Sequence, residues 1–340
     1  MGFKAGPIDY TLEEGVMYIL SRMAIVFTLL YGFATTGLAQ DIDFPTKPVR
    51  IISPYPPGGG NDIVSRIMAD NLTRLWGETV IVENRPGAGG NVGTDYVAKS
   101  DPDGYTWIMG SLSHTINASI YSDLRFDPLT DFAPITMLAS GSYMLVSHPS
   151  LPASNVQELV SLAKDSPGTL NYASAGNGSG THLGMEMFKA AADIDIVHIP
   201  YKGTGPAINA TLAGEVSLDM DNMLALSGQV KAERLRPLAV TSLKRSSLFP
   251  DVPTLDESGY KGFEVSPWFG LLAPAGTPES VIAKINQACV QVLSLPDVRE
   301  QLRAQGADVV ANSPREFADF LHADFSRWAK VVEATGAHID

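Results

Sequence analysis

The sequence predicts an α/β protein of mostly parallel sheets, built in two blocks with a cleft between two lobes. Three observations carry this reading. Short apolar runs alternate with stretches of helical period. The alternation restarts near residue 144. Gly-, Ser- and Thr-rich segments follow strands in both blocks, at the strand ends where open α/β sheets bind ligands.

In chain order, residues 49–53 (VRIIS) form a strand that ends in Pro54-Tyr55-Pro56-Pro57-Gly58-Gly59-Gly60-Asn61. Ile63, Val64, Ile67, Met68, Leu72 and Leu75 lie on one helical stripe, stopped by Gly77. Residues 80–83 read as the second strand, 92–99 as a short helix, 101–104 as a turn and 105–109 as the third strand. The second block opens with a strand at 144–147. Ser154 and Gln157 then form a capping box ahead of a helix at 156–164. Strands at 170–173, 196–200, 216–220 and 238–241 alternate with helices at 183–192 and 207–213. A strand at 269–273 leads to a helical tail. Its first helix spans 278–293, and its last opens on Ser313-Pro314-Arg315-Glu316, with serine as cap, proline at the first helical position and glutamate three residues on.

Residues 23–33 (MAIVFTLLYGF) are apolar, follow Arg22, and lead to Gly37-Leu38-Ala39. This is the pattern of a secretory signal peptide over residues 1–39, cleaved after Ala39. The run is shorter than the ~20 residues of a membrane span. Asp9, Glu13 and Glu14 precede Arg22, where a leader is normally basic, so Met17 or Met23 is a candidate start. With two bases and three acids removed, the net charge of -13 becomes -12. Such acidity repels phosphate backbones and argues against nucleic-acid partners. Cys289 is the single cysteine, so no intrachain disulfide forms; its helical spacing predicts a buried thiol.

Catalytic motifs mostly fail. Gly87-Ala88-Gly89-Gly90-Asn91-Val92-Gly93 has valine where a dinucleotide fingerprint needs its last glycine. Gly178-Ser179-Gly180 lacks the first glycine of a nucleophile elbow, because Asn177 stands there. His114, His148, His182, His198, His322 and His338 include no i,i+4 pair, which argues against zinc. No cofactor is expected. The remaining signal is a set of polar glycine-rich loops opening helices, where free backbone N–H groups favour an anion.

At these loops the sequence closely resembles the Bug family, the TctC-like periplasmic substrate-binding proteins of tripartite tricarboxylate transporters. The matching stretches are residues 45–69, 80–106, 171–188, 198–222 and 268–278. The resemblance implies a Venus-flytrap fold with lobe I at 40–143 plus 268–340 and lobe II at 144–267. It implies a periplasmic, monomeric receptor for a small carboxylated molecule, handing it to membrane permease subunits. By position it assigns ligand binding to Tyr55, Pro56, Gly58, Gly59 and Asn61, then Ser111, His114 and Asn117 of the first lobe. In the second lobe it assigns Ser174, Gly178, Ser179, Thr181 and His182, then Lys202, Thr204, Gly205 and Asp221. Relatives often carry an aromatic where Met220 stands.

Local roles compete with ligand contact at several of these positions. Tyr55 serves equally as a loop wedge, His114 as a turn histidine and His182 as a local cap. Trp268 is expected to pack at the hinge. Two further functions stay open: an exported serine hydrolase using Ser179 with His182 or His198, and a ligand sensor with a signalling partner.

Overall fold

The computed structural model describes residues 1–4 and 43–335. Most of the predicted leader, and His338, lie outside the described residues. The fold belongs to the unit that begins at Phe44.

Two sheets form. The first contains β1 (Val49–Ser53), β2 (Val80–Asn84), β3 (Thr106–Ser111), β4 (Phe132–Gly141), β10 (Trp268–Pro274) and β11 (Ala307–Val309), in the order β11-β4-β10-β3-β1-β2. The second contains β5 (Tyr143–Ser147), β6 (Asn171–Ser174), β7 (Val197–Pro200), β8 (Leu218–Asn222) and β9 (Arg236–Val240), in the order β7-β6-β8-β5-β9. The expectation of mostly parallel sheets needs correcting. β1 pairs in parallel with β2 and β3, and β6 with β7 and β8. β10 runs antiparallel to β3 and β4, β11 to β4, and β5 to β8 and β9. The reversed strands lie where the chain enters a sheet from the other one or from the tail, with no βα crossover to set a parallel direction.

The first block carries α1 (Gly60–Trp76), α2 (Asn91–Ala98) and α3 (Leu112–Ile120). The second carries α4 (Val156–Asp165), α5 (Gly180–Ala192), α6 (Thr204–Leu212) and α7 (Met223–Lys231). The tail adds α8 (Glu279–Ser294), α9 (Pro296–Arg303) and α10 (Pro314–Thr335). The expected box before α4 is displaced by one residue. Asn155 is the cap, its side chain accepting from Glu158 N at 2.9 Å, while Ser154 N and Oγ donate back to Glu158 Oε2 at 2.7 Å. Glu158, not Gln157, completes the box because a carboxylate accepts both donors. The box at Ser313 and Glu316 forms as expected, with Ser313 N donating to Glu316 Oε2 at 2.8 Å. Cys289 is buried in α8, and burial pushes its thiol up to about 12.

The chain passes from the first sheet to the second between β4 and β5, and returns between β9 and β10. The two passages are tied together. Gly141 N donates to Pro267 O at 3.0 Å. Thr241 N and Ser242 N both donate to Ser142 Oγ at 3.1 Å, and Thr241 Oγ1 donates to Val265 O at 2.5 Å. These buried bonds make a narrow two-stranded waist, the place where relative motion of the sheets must be absorbed.

α10 packs along α3 and β4. Its Asp324 is buried and accepts from Thr115 Oγ1 at 2.6 Å, Trp268 Nε1 at 3.1 Å and Trp328 Nε1 at 3.1 Å. Burial raises its carboxyl, and these three donors oppose the shift. Trp268 is buried beside the waist, edge-on to Phe317 and Phe320 at 5.7 and 5.8 Å, so its expected packing role is the one observed. Asp324→Ala would strand the indole N–H groups of Trp268 and Trp328 in the core, while the Thr115 hydroxyl turns to Leu112 O at 3.0 Å. The substitution should lower the unfolding free energy by about 3 kcal/mol, read as a fall in denaturant midpoint at constant slope.

Candidate functional site

The site forms where strand ends of both sheets feed helices. β1 leads through Pro54–Gly59 into α1, and β3 runs directly into α3. Across the gap, β6 leads through Ala175–Ser179 into α5, β7 through Tyr201–Gly203 into α6, and β8 directly into α7. Each helix therefore points its N-terminus at the gap, with unbonded N–H groups and the positive end of its dipole. Gly59, Ser111 and Gly203 cap α1, α3 and α6 without a side-chain bond, so those first turns keep their donors free. Ser179 and Asn222 cap α5 and α7 with their own side chains, accepting from His182 N and Ala225 N.

Glycine lets the two sides come close. A Cβ on Gly59 would lie 3.3 Å from Thr204 Cβ, and one on Gly203 would lie 2.5 Å from Pro56 Cδ. A Cβ on Gly60 would meet Asn222 Oδ1 at 2.9 Å, and one on Gly180 would meet Leu112 Cδ2 at 3.1 Å. No ordinary side chain fits at the tightest of these positions without parting the two sides.

Two connected spaces result. An inner niche of about 30 Å³ is bounded by Gly59, Asn61, Ser111, Ser113, Ser179, Thr181, Thr204 and Asn222, with Tyr55, Tyr143 and Phe269 closing it. It has room for one carboxylate group or a pair of waters. An outer chamber of about 520 Å³ opens beyond it, lined by Tyr55, Pro56, Tyr121, Tyr201, Lys202 and the backbone of Gly87–Gly90. That volume suits a small molecule. Tyr55 and Ala175 border both.

The expected residues divide by this geometry. Gly59, Asn61, Ser111, Ser179, Thr181 and Thr204 line the niche, Pro56 and Lys202 line the chamber, and Tyr55 lines both. Tyr55 also wedges the loop, its hydroxyl lying 2.9 Å from Gly89 O and from Ser113 Oγ. The others border neither space. Gly58 is an exposed turn residue at φ +92° whose N–H donates to Asp62 Oδ2 at 3.0 Å. Gly205 follows the rim, and Gly178 holds a positive φ of 75° inside the loop. Asn117 supports the glycine loop after β2, donating to Gly89 O at 3.1 Å and to Asn91 Oδ1 at 2.6 Å. Ser174 is fully buried, 2.6 Å from His198 Nε2 and accepting from Gly176 N at 3.1 Å.

The histidines lie behind the lining. His114 sits in the core against Phe126 and Phe132, its Nε2 2.9 Å from Pro128 O, and burial lowers it to about 4. It is a packing residue and not a lining one. His182 stacks on His198 at 4.1 Å, and His198 stacks on Tyr172 at 4.8 Å. Burial keeps this pair neutral and lowers His198 to about 3. Asp221 lies fully buried behind the niche, where its Oδ1 accepts from Thr204 Oγ1 at 3.2 Å and from Asn222 N and Nδ2 at 2.6 Å. Burial pushes it up to about 7 against those bonds.

Sequence reasoning missed Ser113, Tyr143, Asn222 and Phe269 in the niche, and Gly87–Gly90, Tyr121, Asn177 and Tyr201 in the chamber. The glycine loop after β2 carried a usable signal, since it follows a strand end as the other loops do. Phe269 lies in the matching stretch 268–278, whereas Tyr121 lies in none of them.

Ser179 is poorly placed for nucleophilic attack. Its hydroxyl donates to Gly176 O at 2.6 Å, lies 2.9 Å from Thr181 Oγ1, and caps α5. Its nearest partners are thus backbone and hydroxyl, while the imidazoles of His182 and His198 stack on one another. Among the described residues, no cluster of His, Cys, Asp and Glu suits a metal ion, and no helix is long and apolar enough to cross a membrane.

A family model described as the tripartite tricarboxylate transporter family receptor matches residues 64–337. BugT of Bordetella pertussis is 38% identical over 311 residues, covering 90% of this chain and 95% of that protein. The solved structure of the periplasmic binding protein BugD superposes with a TM-score of 0.84 at 35% identity, covering 87% of this chain and 99% of that one. Rpa4515 of R. palustris, solved with adipate, gives 0.84 at 35% identity over 86% and 99% of the two chains. MatC of Rhodopseudomonas palustris, solved with malate, gives 0.82 at 32% identity over 85% and 100%. The three solved structures share the fold of this chain, and the first is described as a periplasmic binding protein. The chain belongs to the Bug family of tripartite tricarboxylate transporter receptors.

Proposed function

We propose that this chain is a periplasmic receptor that captures a small carboxylated molecule between its two lobes, residues 40–143 plus 268–340 and residues 144–267, and delivers it to membrane permease subunits. The observation that carries the reading is the niche. The uncapped N-termini of α1, α3 and α6 converge there with the hydroxyls of Ser111, Ser113, Thr181 and Thr204. One ligand carboxylate sits in the niche, held by N–H and hydroxyl donors in place of an arginine clamp. The rest of the molecule occupies the chamber, where Tyr121, Tyr201 and exposed Lys202 select it. Net acidity of the whole chain does not oppose this, because the donors act at hydrogen-bond range while surface charge is screened beyond ~8–10 Å. The neighbours solved with adipate and malate support this ligand class.

The ligand bridges both sides, so binding free energy shifts the population toward the closed arrangement, and no covalent step is needed. Export through the leader at 1–39 supplies the periplasmic location; the mature chain should begin at Gln40. Calorimetry across di- and tricarboxylates, amino acids and aromatic acids should find one-to-one binding to at least one member. Silence across the whole panel would sink the proposal. The hydrolase alternative has its own check: background turnover of a chromogenic ester is expected to be the same for Ser179→Ala as for the parent chain.

A further inference from the structure

The loops that face each other across the chamber make one direct side-chain bond at its outer edge. Tyr121, at the end of α3, donates its hydroxyl proton to Asn177 O of the β6–α5 loop at 3.1 Å. The same carbonyl faces Gly89, where a Cβ would lie 2.7 Å from it and 2.9 Å from the Tyr121 hydroxyl. Gly89 is fixed from behind. The Gly89 carbonyl accepts from Tyr55 OH at 2.9 Å and from Asn117 Nδ2 at 3.1 Å, which holds the glycine at φ +61° with its bare Cα toward the gap. On the opposite side, Gly176 at φ +121° and Gly178 at φ +75° flank Asn177 and turn its carbonyl outward.

From this juxtaposition we propose that Tyr121 is a positioning residue for closure: with Gly89 it clasps the Asn177 carbonyl and sets how long the cleft stays shut. The proposal rests on the receptor reading and deepens it. Tyr121 borders the chamber with its ring and bonds the opposite lobe with its hydroxyl, so its two functions separate on substitution. Removing the hydroxyl leaves the wall intact and deletes only a bond that exists in the shut form. The bond is absent from the open encounter complex, so its loss appears in dissociation and not in association. Gly89 supplies an independent route to the same end, because a methyl group there occupies the space of the Asn177 oxygen.

The test uses the full mature chain with spin labels at Asp70→Cys and Lys164→Cys, exposed sites on the two sides. Inter-label distances are measured without added ligand and with saturating adipate. Tyr121→Phe is expected to move the distribution toward longer distances, and Gly89→Ala to move it the same way. For whichever panel carboxylate binds tightest, Tyr121→Phe should raise the dissociation rate about 2- to 12-fold, the range of one hydrogen bond, with the association rate unchanged. The thermal midpoint of the unliganded variant should match the parent. Unchanged distances in both variants overturn the clasp, as does an affinity loss that appears in association alone. If no carboxylate binds, the receptor reading falls, while the label distances still decide whether Tyr121 and Gly89 hold the cleft shut.

Discussion

Gly203→Ala should weaken carboxylate binding by about 5- to 150-fold, the range that 1–3 kcal/mol of overpacking commands. Gly203 caps α6 at φ +115° and ψ 169°, a region that glycine alone occupies easily. Its α-carbon faces the proline ring of Pro56 in the opposite loop, and a Cβ would lie 2.5 Å from Pro56 Cδ and 2.9 Å from Cγ. A pyrrolidine ring has no rotamer to swing away, so relief requires the two sides to part by about an ångström. The open form has no such conflict. The clash therefore falls on the bound, closed state and is read directly as lost affinity. Backbone strain at residue 203 is a separate cost, shared by both forms and visible as a lower thermal midpoint. A double-mutant cycle separates the two: Pro56→Ala on the Gly203→Ala background should restore much of the affinity and none of the midpoint. If Gly203→Ala bound every ligand as the parent does, the lobes would not approach this closely in the complex.

The same loops show what a sequence reveals about such a site. Residues 54–61, 111–117, 174–182 and 202–205 follow apolar runs and are rich in glycine and hydroxyls, and the structure brings all four to one gap. Within a loop, sequence could not say which residue faces in. Gly58 and Gly59 are adjacent, yet only Gly59 lines the niche, because that depends on the φ/ψ of each residue and not on its type. His114 looked like a ligand contact by position, but it lies on the core side of α3 against two phenylalanines. Helix α3 has no start signal in the sequence, since Leu112 begins it directly after Ser111 with no turn residue between. Strand direction was equally hidden. β5 and β10 read as ordinary apolar runs, and only the waist at 141–143 and 241–268 reverses them. Tyr121 carried no local pattern at all; its partner is 56 residues away.

Strand β8 leads to the second large effect: the stability that Asp219 and Asp221 contribute should be lost as pH rises from about 4 to 7, opposing the gain that the buried neutral histidines His114 and His198 contribute over the same range, and Asp219→Leu should stabilise the protein at neutral pH. Asp219 and Asp221 alternate to the same face of β8, both fully buried. Asp219 has no partner for either oxygen, and Asp221 has none for Oδ2. Burial raises both carboxyls, Asp221 to about 7, and the charge of Asp221 raises Asp219 further. In the unfolded chain each loses its proton near 3.8, whereas in the folded chain Asp221 keeps it to about 7. Between those values the unfolded state binds fewer protons, so unfolding becomes easier as pH rises. The contribution is complete below 3.8 and lost by the time pH passes 7, with a ceiling of about 4 kcal/mol for Asp221. Leucine at 219 replaces a buried carboxyl with no hydrogen-bond partner for either oxygen, so the midpoint at pH 8 should rise above that of the parent, and the difference between the two should shrink as pH falls and Asp219 takes up its proton. A lower midpoint would mean that Asp219 is held by partners. Asp221 also bears on binding, because Thr204 and Asn222 lie between it and the niche. An anion seated there adds a second negative charge, favours the protonated carboxyl, and draws a proton from solution. At pH 7.5 the calorimetric enthalpy should therefore vary with the ionisation enthalpy of the buffer. Asp221→Asn, which keeps the side-chain oxygen that accepts from Thr204 and removes this carboxyl's titration, should reduce the dependence of the enthalpy on buffer.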